Sequence, residues 1–128
     1  MIYSYKIGML LDTVISIDHF NGIAAATDFI LKHRHDVALS VITCAEVLVG
    51  FHPVVPIDIT RLLEQFPLFE IDRKTAELAA QLRYCYRWKL PDAFQAVLAK
   101  QHGCQLVTRN TKDFDSEKHD FIVVPYRL

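Results

Sequence analysis

The sequence predicts an α/β fold with a mostly parallel sheet. Five short apolar runs alternate with longer stretches of helical periodicity. The first run is apolar on consecutive positions, as in a strand covered on both faces. No repeat, low-complexity tract or linker interrupts the 128 residues, which is the length of one ordinary domain with a real core.

In chain order, residues 7–11 are the first strand and end directly in Asp12. Residues 21–35 read as a helix with Ile23, Ala26 and Ile30 on one face. Residues 37–41 are a second strand. Residues 43–51 are a helix stopped near Gly50 and Pro53. Pro56 and Asp58 open another helix, running through Leu62, Leu63 and Phe66 to Pro67, and residues 68–71 are a third strand. Residues 74–88 form a long helix carrying Ala76, Ala79, Ala80 and Leu82. Residues 91–101 form the next, with Gly103 at its end. Residues 105–108 and 121–124 are the last strands. Crossovers between parallel strands are right-handed, and helices cover both faces. Sites in such sheets form beyond the carboxyl ends of the strands, at the switch in strand order. Asp12 follows the first strand and TRNTKDF follows the fourth, so both face one crevice.

Composition narrows the function. With 52% hydrophobic and 11% aromatic residues the chain is not disordered. Its apolar runs reach about five residues, far short of the roughly 20 of a membrane helix. The opening MIYSYKIGMLLDT has a lysine and an aspartate in its apolar zone and does not read as a signal peptide. Cys44, Cys85 and Cys104 are isolated, with no C-x-x-C pair, so they read as thiols of a reducing cytosol. The net charge of −1 hides an asymmetry: residues 1–72 carry 4 basic and 9 acidic side chains, whereas residues 73–112 carry 8 basic and 2 acidic. A basic segment of that kind either follows a phosphate backbone or is a solvated helix face.

Four acids stand out: Asp12, Glu46 in SVITCAEVLVG, Asp92 in LPDAFQAVLA and Asp113 in LVTRNTKDF. Each alone has an ordinary explanation. Asp12 suits the N-cap of a helix starting at Thr13. Thr43 and Glu46 have capping-box spacing. Asp92 follows Pro91 in a first helical turn, and Asn110 with Asp113 suits a surface turn. Their neighbours favour a shared site, because Glu46 lies one turn from Thr43 and Gly50, and Asp92 shares a face with Ala96 and Ala99. Converging carboxylates repel by roughly 4 kcal/mol per pair at about 4 Å and an effective dielectric of 20. A hard divalent cation, Mg²⁺ or Mn²⁺, compensates that repulsion, whereas no histidine or cysteine has zinc-ligand spacing. Metal-assisted hydrolysis of a phosphodiester is the chemistry this pattern indicates. G-x-S-x-G, P-loop and G-x-G-x-x-G motifs are absent from the sequence.

The segments LLDTVISID, SVITCAEVLVG, LPDAFQAVLAKQHGCQLVTRNTKDF and FIVVPY, in this order, resemble the PIN-domain ribonucleases, above all the VapC-type toxins of toxin–antitoxin pairs. The resemblance implies a single PIN domain over residues 1–128, with a five-stranded, mostly parallel sheet flanked by helices. It implies an acidic pocket for Mg²⁺ or Mn²⁺, endonucleolytic cleavage of RNA, a cytoplasmic homodimer and a cognate antitoxin that blocks the pocket. By motif match Asp12, Glu46, Asp92 and Asp113 are the catalytic acids. We expect Asp12, Asp92 and Asp113 to form the metal-binding wall, and Glu46 to orient or deprotonate the attacking water. Thr13, Thr108, Arg109, Asn110 and Lys112 are expected at the substrate, with Lys89 near flanking phosphates. Tyr84, Tyr86 and Trp88 are either base-stacking platforms or core and interface residues. Val14 stands where family members often carry Asn or Ser, and Ser16 where an aliphatic residue is usual.

Two other classes compete. A catalytically weak PIN scaffold that mainly binds a protein has Val14 as its one hint. A haloacid dehalogenase-type phosphatase needs an aspartate at position 14, and a receiver domain needs a lysine ending the last strand, where Val124 and Pro125 stand.

Overall fold

The computed structural model describes residues 7–128; the sequence reading of residues 1–6 lies outside the described residues. The elements are β1 (Met9–Leu11), α1 (Thr13–Phe20), α2 (Ala24–His33), β2 (Val37–Ser40), α3 (Val41–Phe51), α4 (Ile57–Glu64), β3 (Leu68–Phe69), α5 (Arg73–Tyr86), α6 (Leu90–Gln101), β4 (Gln105–Val107) and β5 (Ile122–Val123). The five strands run parallel in the order β3-β2-β1-β4-β5. The order reverses at β1, which pairs with β2 on one side and β4 on the other. The carboxyl ends of β1 and β4 therefore flank the crevice at the switch point.

All residues of β1 and β2 are buried. Successive strand side chains point to opposite faces. Met9 and Leu11 join Ile15, Ile30, Val47 and Leu63 under α1 to α4. Leu10, Leu106 and Ile122 join Trp88, Leu98 and Phe114 on the other face. Two apolar faces explain why these strands lack polar alternation. On α6, Ala93, Ala96 and Ala99 are fully buried, and Ala79 of α5 packs on Ala93 and Val97. Small side chains let both helices lie close, which places the start of α6 over the ends of β1 and β4.

Several boundaries differ from the sequence reading. Helix α1 was foreseen only as an alternative role for Asp12, because its buried Ser16 and Asp18 break the apolar stripe. Helix α3 starts at Val41, directly after β2, with Ser40 as its N-cap: the Ser40 hydroxyl accepts from the Thr43 N–H at 3.0 Å. Thr43 is therefore not a cap, and Glu46 is released from a capping box. Helix α5 ends at Tyr86 rather than position 88, because Arg87 adopts a left-handed φ of 59°. Gly103, with φ of 64°, turns the chain after α6 as expected. Among the described residues no helix is long and apolar enough to cross a membrane.

Candidate acidic site at the carboxyl edge of the sheet

Asp12 sits at the end of β1 and caps α1, so one residue both terminates a strand and starts a helix. Its buried carboxylate accepts three hydrogen bonds. Oδ1 accepts from the Thr13 N–H at 2.9 Å and from Gln95 Nε2 at 3.2 Å; Oδ2 accepts from the Thr108 hydroxyl at 2.6 Å. Burial raises its pKa above the usual carboxylate value; the three donors oppose the rise and the nearby Glu46 charge adds to it.

Glu46 emerges at the rim, exposed, from the second turn of α3. Its Oε1 accepts from the Thr13 hydroxyl at 2.7 Å. Thr13 Oγ1 in turn lies 2.9 Å from Thr43 Oγ1, and Gln95 Nε2 donates to Thr43 Oγ1 at 2.8 Å. Thr13 thus touches two of the acids, one through its N–H and one through its hydroxyl.

Asp92 lies half-buried in the first turn of α6. Its pKa is pushed up to about 6, first by burial and then by the charges of Asp12, Asp113 and Glu46, with Lys89 acting in the opposite direction. One carboxyl therefore feels the other three acids, although they come from four separate segments.

Asp113 belongs to the turn after β4. The Asn110 amide donates to its Oδ2 at 3.1 Å, and the Trp88 indole N–H donates to its backbone carbonyl at 2.9 Å. Thr108 Oγ1 accepts the Asn110 N–H at 3.0 Å while donating to Asp12. Thr108 and Asn110 thus tie Asp113 to Asp12 rather than projecting freely toward substrate.

One expected substrate contact is engaged elsewhere. Arg109 spends Nε and Nη2 on the carboxylate of Asp18, at 2.7 and 2.9 Å, and the Tyr126 hydroxyl donates to the same carboxylate at 2.7 Å. This pairing holds Asp18 below its usual pKa. Lys112 is exposed. Trp88 is 4% exposed, against Phe114, so it is a core residue and not a stacking platform, whereas Tyr84 is 88% exposed. Val14 packs on the core cluster beneath α1, so the hint toward a non-catalytic scaffold does not rest on an altered pocket.

The sequence reading passed over Gln95, Thr43 as a side-chain bridge, and Asp18. Gln95 had a readable signal: it lies three residues after Asp92, hence on the same helix face, among small apolar residues.

Among the described residues no three histidine, cysteine, aspartate or glutamate side chains already form a ligand set for a metal ion. The chemistry of the donors nevertheless fits a hard cation. They are carboxylate oxygens, and Asp92 is destabilised in its charged form by three like charges, which a divalent ion would offset. A larger cavity, lined by Ile7, Arg34, His35, Val37, Gln65 and Pro67, lies at the opposite, amino edge of the sheet and holds none of the acids. Beside Glu46 a small apolar cleft runs between α1 and α3, lined by Ile17, Phe20, Val47 and Phe51.

Comparison with known proteins gives concordant results. The family model for the PIN domain matches residues 9–117. Ribonuclease VapC10 of Mycobacterium tuberculosis is 31% identical over 113 residues, covering 83% of this chain and 85% of that protein. A chain of a toxin–antitoxin complex from Klebsiella pneumoniae has the same fold with a TM-score of 0.85 and 37% identity, covering 94% of this chain and 100% of that one. FitAcB from Neisseria gonorrhoeae, with a TM-score of 0.73 and 23% identity over 94% of this chain and 99% of that one, shares the fold.

Proposed function

This chain belongs to the PIN-domain family, and from that premise we propose that it is the ribonuclease toxin of a type II toxin–antitoxin pair, a single domain over residues 1–128 that cleaves RNA with Mg²⁺ or Mn²⁺. The observation that carries the reading is the environment of Asp92, where Asp12, Glu46 and Asp113 act together on one carboxyl at the switch point of the sheet. A structural cap does not need three other acids around it.

Asp12, Asp92 and Asp113 would hold the cation. When bound, the ion supplies Lewis acidity toward the phosphate and offsets negative charge developing in the transition state. The remaining steps belong to the chain. Glu46 Oε1 is fixed by the Thr13 hydroxyl, and Oε2 takes the proton from the attacking water. Exposure at the rim lets water and RNA reach that oxygen. Thr108 and Asn110 keep Asp12 and Asp113 in register. Lys112 and Lys89, both exposed, attract the flanking phosphates.

Partners are inferred from the same premise. The Klebsiella pneumoniae relative is a toxin–antitoxin complex, and the cleft of Ile17, Phe20, Val47 and Phe51 beside Glu46 suits an apolar segment of an antitoxin. The reading also includes a homodimer and a cytoplasmic location.

The deciding experiment is cleavage of end-labelled total RNA by purified, antitoxin-free protein, with Mg²⁺ or Mn²⁺ and with EDTA, wild type beside Asp92→Asn. Cleavage that requires the ion and disappears in the variant supports the assignment. Equal cleavage by folded Asp92→Asn overturns it.

A further inference from the structure

Deepening the nuclease reading, on which its catalytic consequence rests, we propose that Gln95 is a positioning residue: through Thr43 and Thr13 its amide fixes the carboxylate of Glu46 relative to that of Asp12.

Gln95 is 1% exposed and reaches from α6 into the space between β1 and α3. Its nitrogen lies 3.2 Å from Asp12 Oδ1 and 2.8 Å from Thr43 Oγ1. A primary amide nitrogen carries two hydrogens and only donates, so these two contacts use both. The amide is oriented this way round because an ionised Asp12 only accepts.

Donor and acceptor roles then follow along the chain. Thr13 Oγ1 lies 2.7 Å from Glu46 Oε1, and a carboxylate only accepts, so Thr13 spends its single hydroxyl hydrogen there. Thr13 must therefore accept from Thr43, 2.9 Å away. Thr43 has then spent its own hydrogen, and it accepts from Gln95 and, at 3.5 Å, from Ser40. One direction alone satisfies both hydroxyls and both carboxylates: Gln95 to Thr43 to Thr13 to Glu46. The Thr13 N–H on Asp12 Oδ1 closes the loop. Hydrogen bonds in such a buried series polarise one another, so the amide is felt at Glu46 although it does not touch it.

The choice of residue points the same way. Gln95 Oε1 is the one buried side-chain polar atom without a partner among the described residues. Leu or Met at this place would bury no orphaned acceptor. A glutamine here leaves its oxygen unpaired in the core while its nitrogen serves the residues around the acids.

The test uses full-length Gln95→Leu, Gln95→Met, Thr43→Val and Thr43→Ser. In EDTA-treated wild type, NMR should find the Gln95 side-chain amide protons in slow exchange with solvent. Thr43→Val should shift them and Thr43→Ser should not. Gln95→Leu and Gln95→Met should melt at or above the wild-type temperature while kcat falls roughly 10- to 100-fold with KM little changed, the range typical of groups behind a metal site. Thr43→Ser should regain most of the kcat that Thr43→Val loses. Wild-type kcat in either folded Gln95 variant overturns the proposal, as does an amide indifferent to Thr43→Val. A fall in melting temperature of both Gln95 variants that accounts for the lost activity also overturns it, assigning Gln95 to the core. If wild type cleaves no RNA, or Asp92→Asn cleaves as well as wild type, the nuclease reading fails; the amide spectra still decide the relay.

Discussion

The indole N–H of Trp88 donates to the backbone carbonyl of Asp113 at 2.9 Å, so an aromatic residue of the core sets the height of an acid at the site. Trp88 is itself held by Phe114, whose ring centroid is 4.9 Å away, and by stacking with Tyr86 at 4.6 Å. Trp88→Phe keeps an aromatic side chain but shrinks it and removes the donor. Its expected cost is about 2 kcal/mol in urea unfolding, from the lost hydrogen bond and the small cavity together, with a lower kcat as the turn carrying Asp113 loosens. KM for RNA should stay unchanged, because the buried indole has no face open to a base. A rise in KM with kcat intact would restore the stacking role.

Asp92 gives a pH signature whose sign is fixed. Its folded pKa of about 6 lies above the ordinary 3.8, so the fold prefers the protonated form. The resulting contribution is present at acidic pH and is lost as pH rises through the folded value. Without added metal, Asp92→Asn should therefore be more stable than wild type at pH 8, and the two should converge toward pH 4. Melting curves across that range, in EDTA, check this. Parallel curves at all pH values would mean that Asp92 is not crowded by its neighbours.

Asp18 behaves in the opposite sense. Arg109, and then Tyr126, hold its pKa below the ordinary value. Its contribution is present above about pH 4, the unfolded range, and is lost as pH falls through the lower folded value. Arg109→Ala should cost about 2 kcal/mol, since it strips a buried carboxylate of a bidentate partner while Tyr126 remains. Arg109→Lys should fall between. If Arg109 instead binds a phosphate, as its place in TRNTKDF suggested, Arg109→Ala would lower the salt slope of RNA binding by about 1. We expect that slope to stay the same.

These residues show where sequence reasoning reaches and where it stops. Asp12 and Asp113 were legible because each follows a short apolar strand, and the carboxyl edge of a parallel sheet is where sites form. Glu46 was legible as a candidate, but its helix start was misplaced. Ser40 closes β2 and caps α3 at once, with no loop between them, and the β-branched Val41 and Ile42 hide the change of period. Gln95 and Trp88 act through partners distant in sequence, 83 residues away at Asp12 and 25 at Asp113. Arg109 is 91 residues from Asp18. A positive charge in a sequence does not reveal whether it will meet a phosphate or a buried aspartate.

The last expectation concerns the cation. A ligand that binds only the folded state stabilises it by RT ln(1 + [L]/Kd), about 2.7 kcal/mol at a hundredfold excess over Kd. Mg²⁺ or Mn²⁺ should therefore raise the melting temperature of wild type, and at pH 8 more than at pH 5, because protonated Asp92 is a poor ligand and no longer repels its neighbours. Asp12→Asn and Asp113→Asn should each shrink the increase. Asp92→Asn should shrink it too while starting from a higher metal-free baseline, a combination that simple loss of packing does not produce. Calorimetric titration of each variant with Mn²⁺ measures the affinity directly. Unaltered affinity in all three aspartate variants would place any bound ion elsewhere and remove the acidic wall from the mechanism.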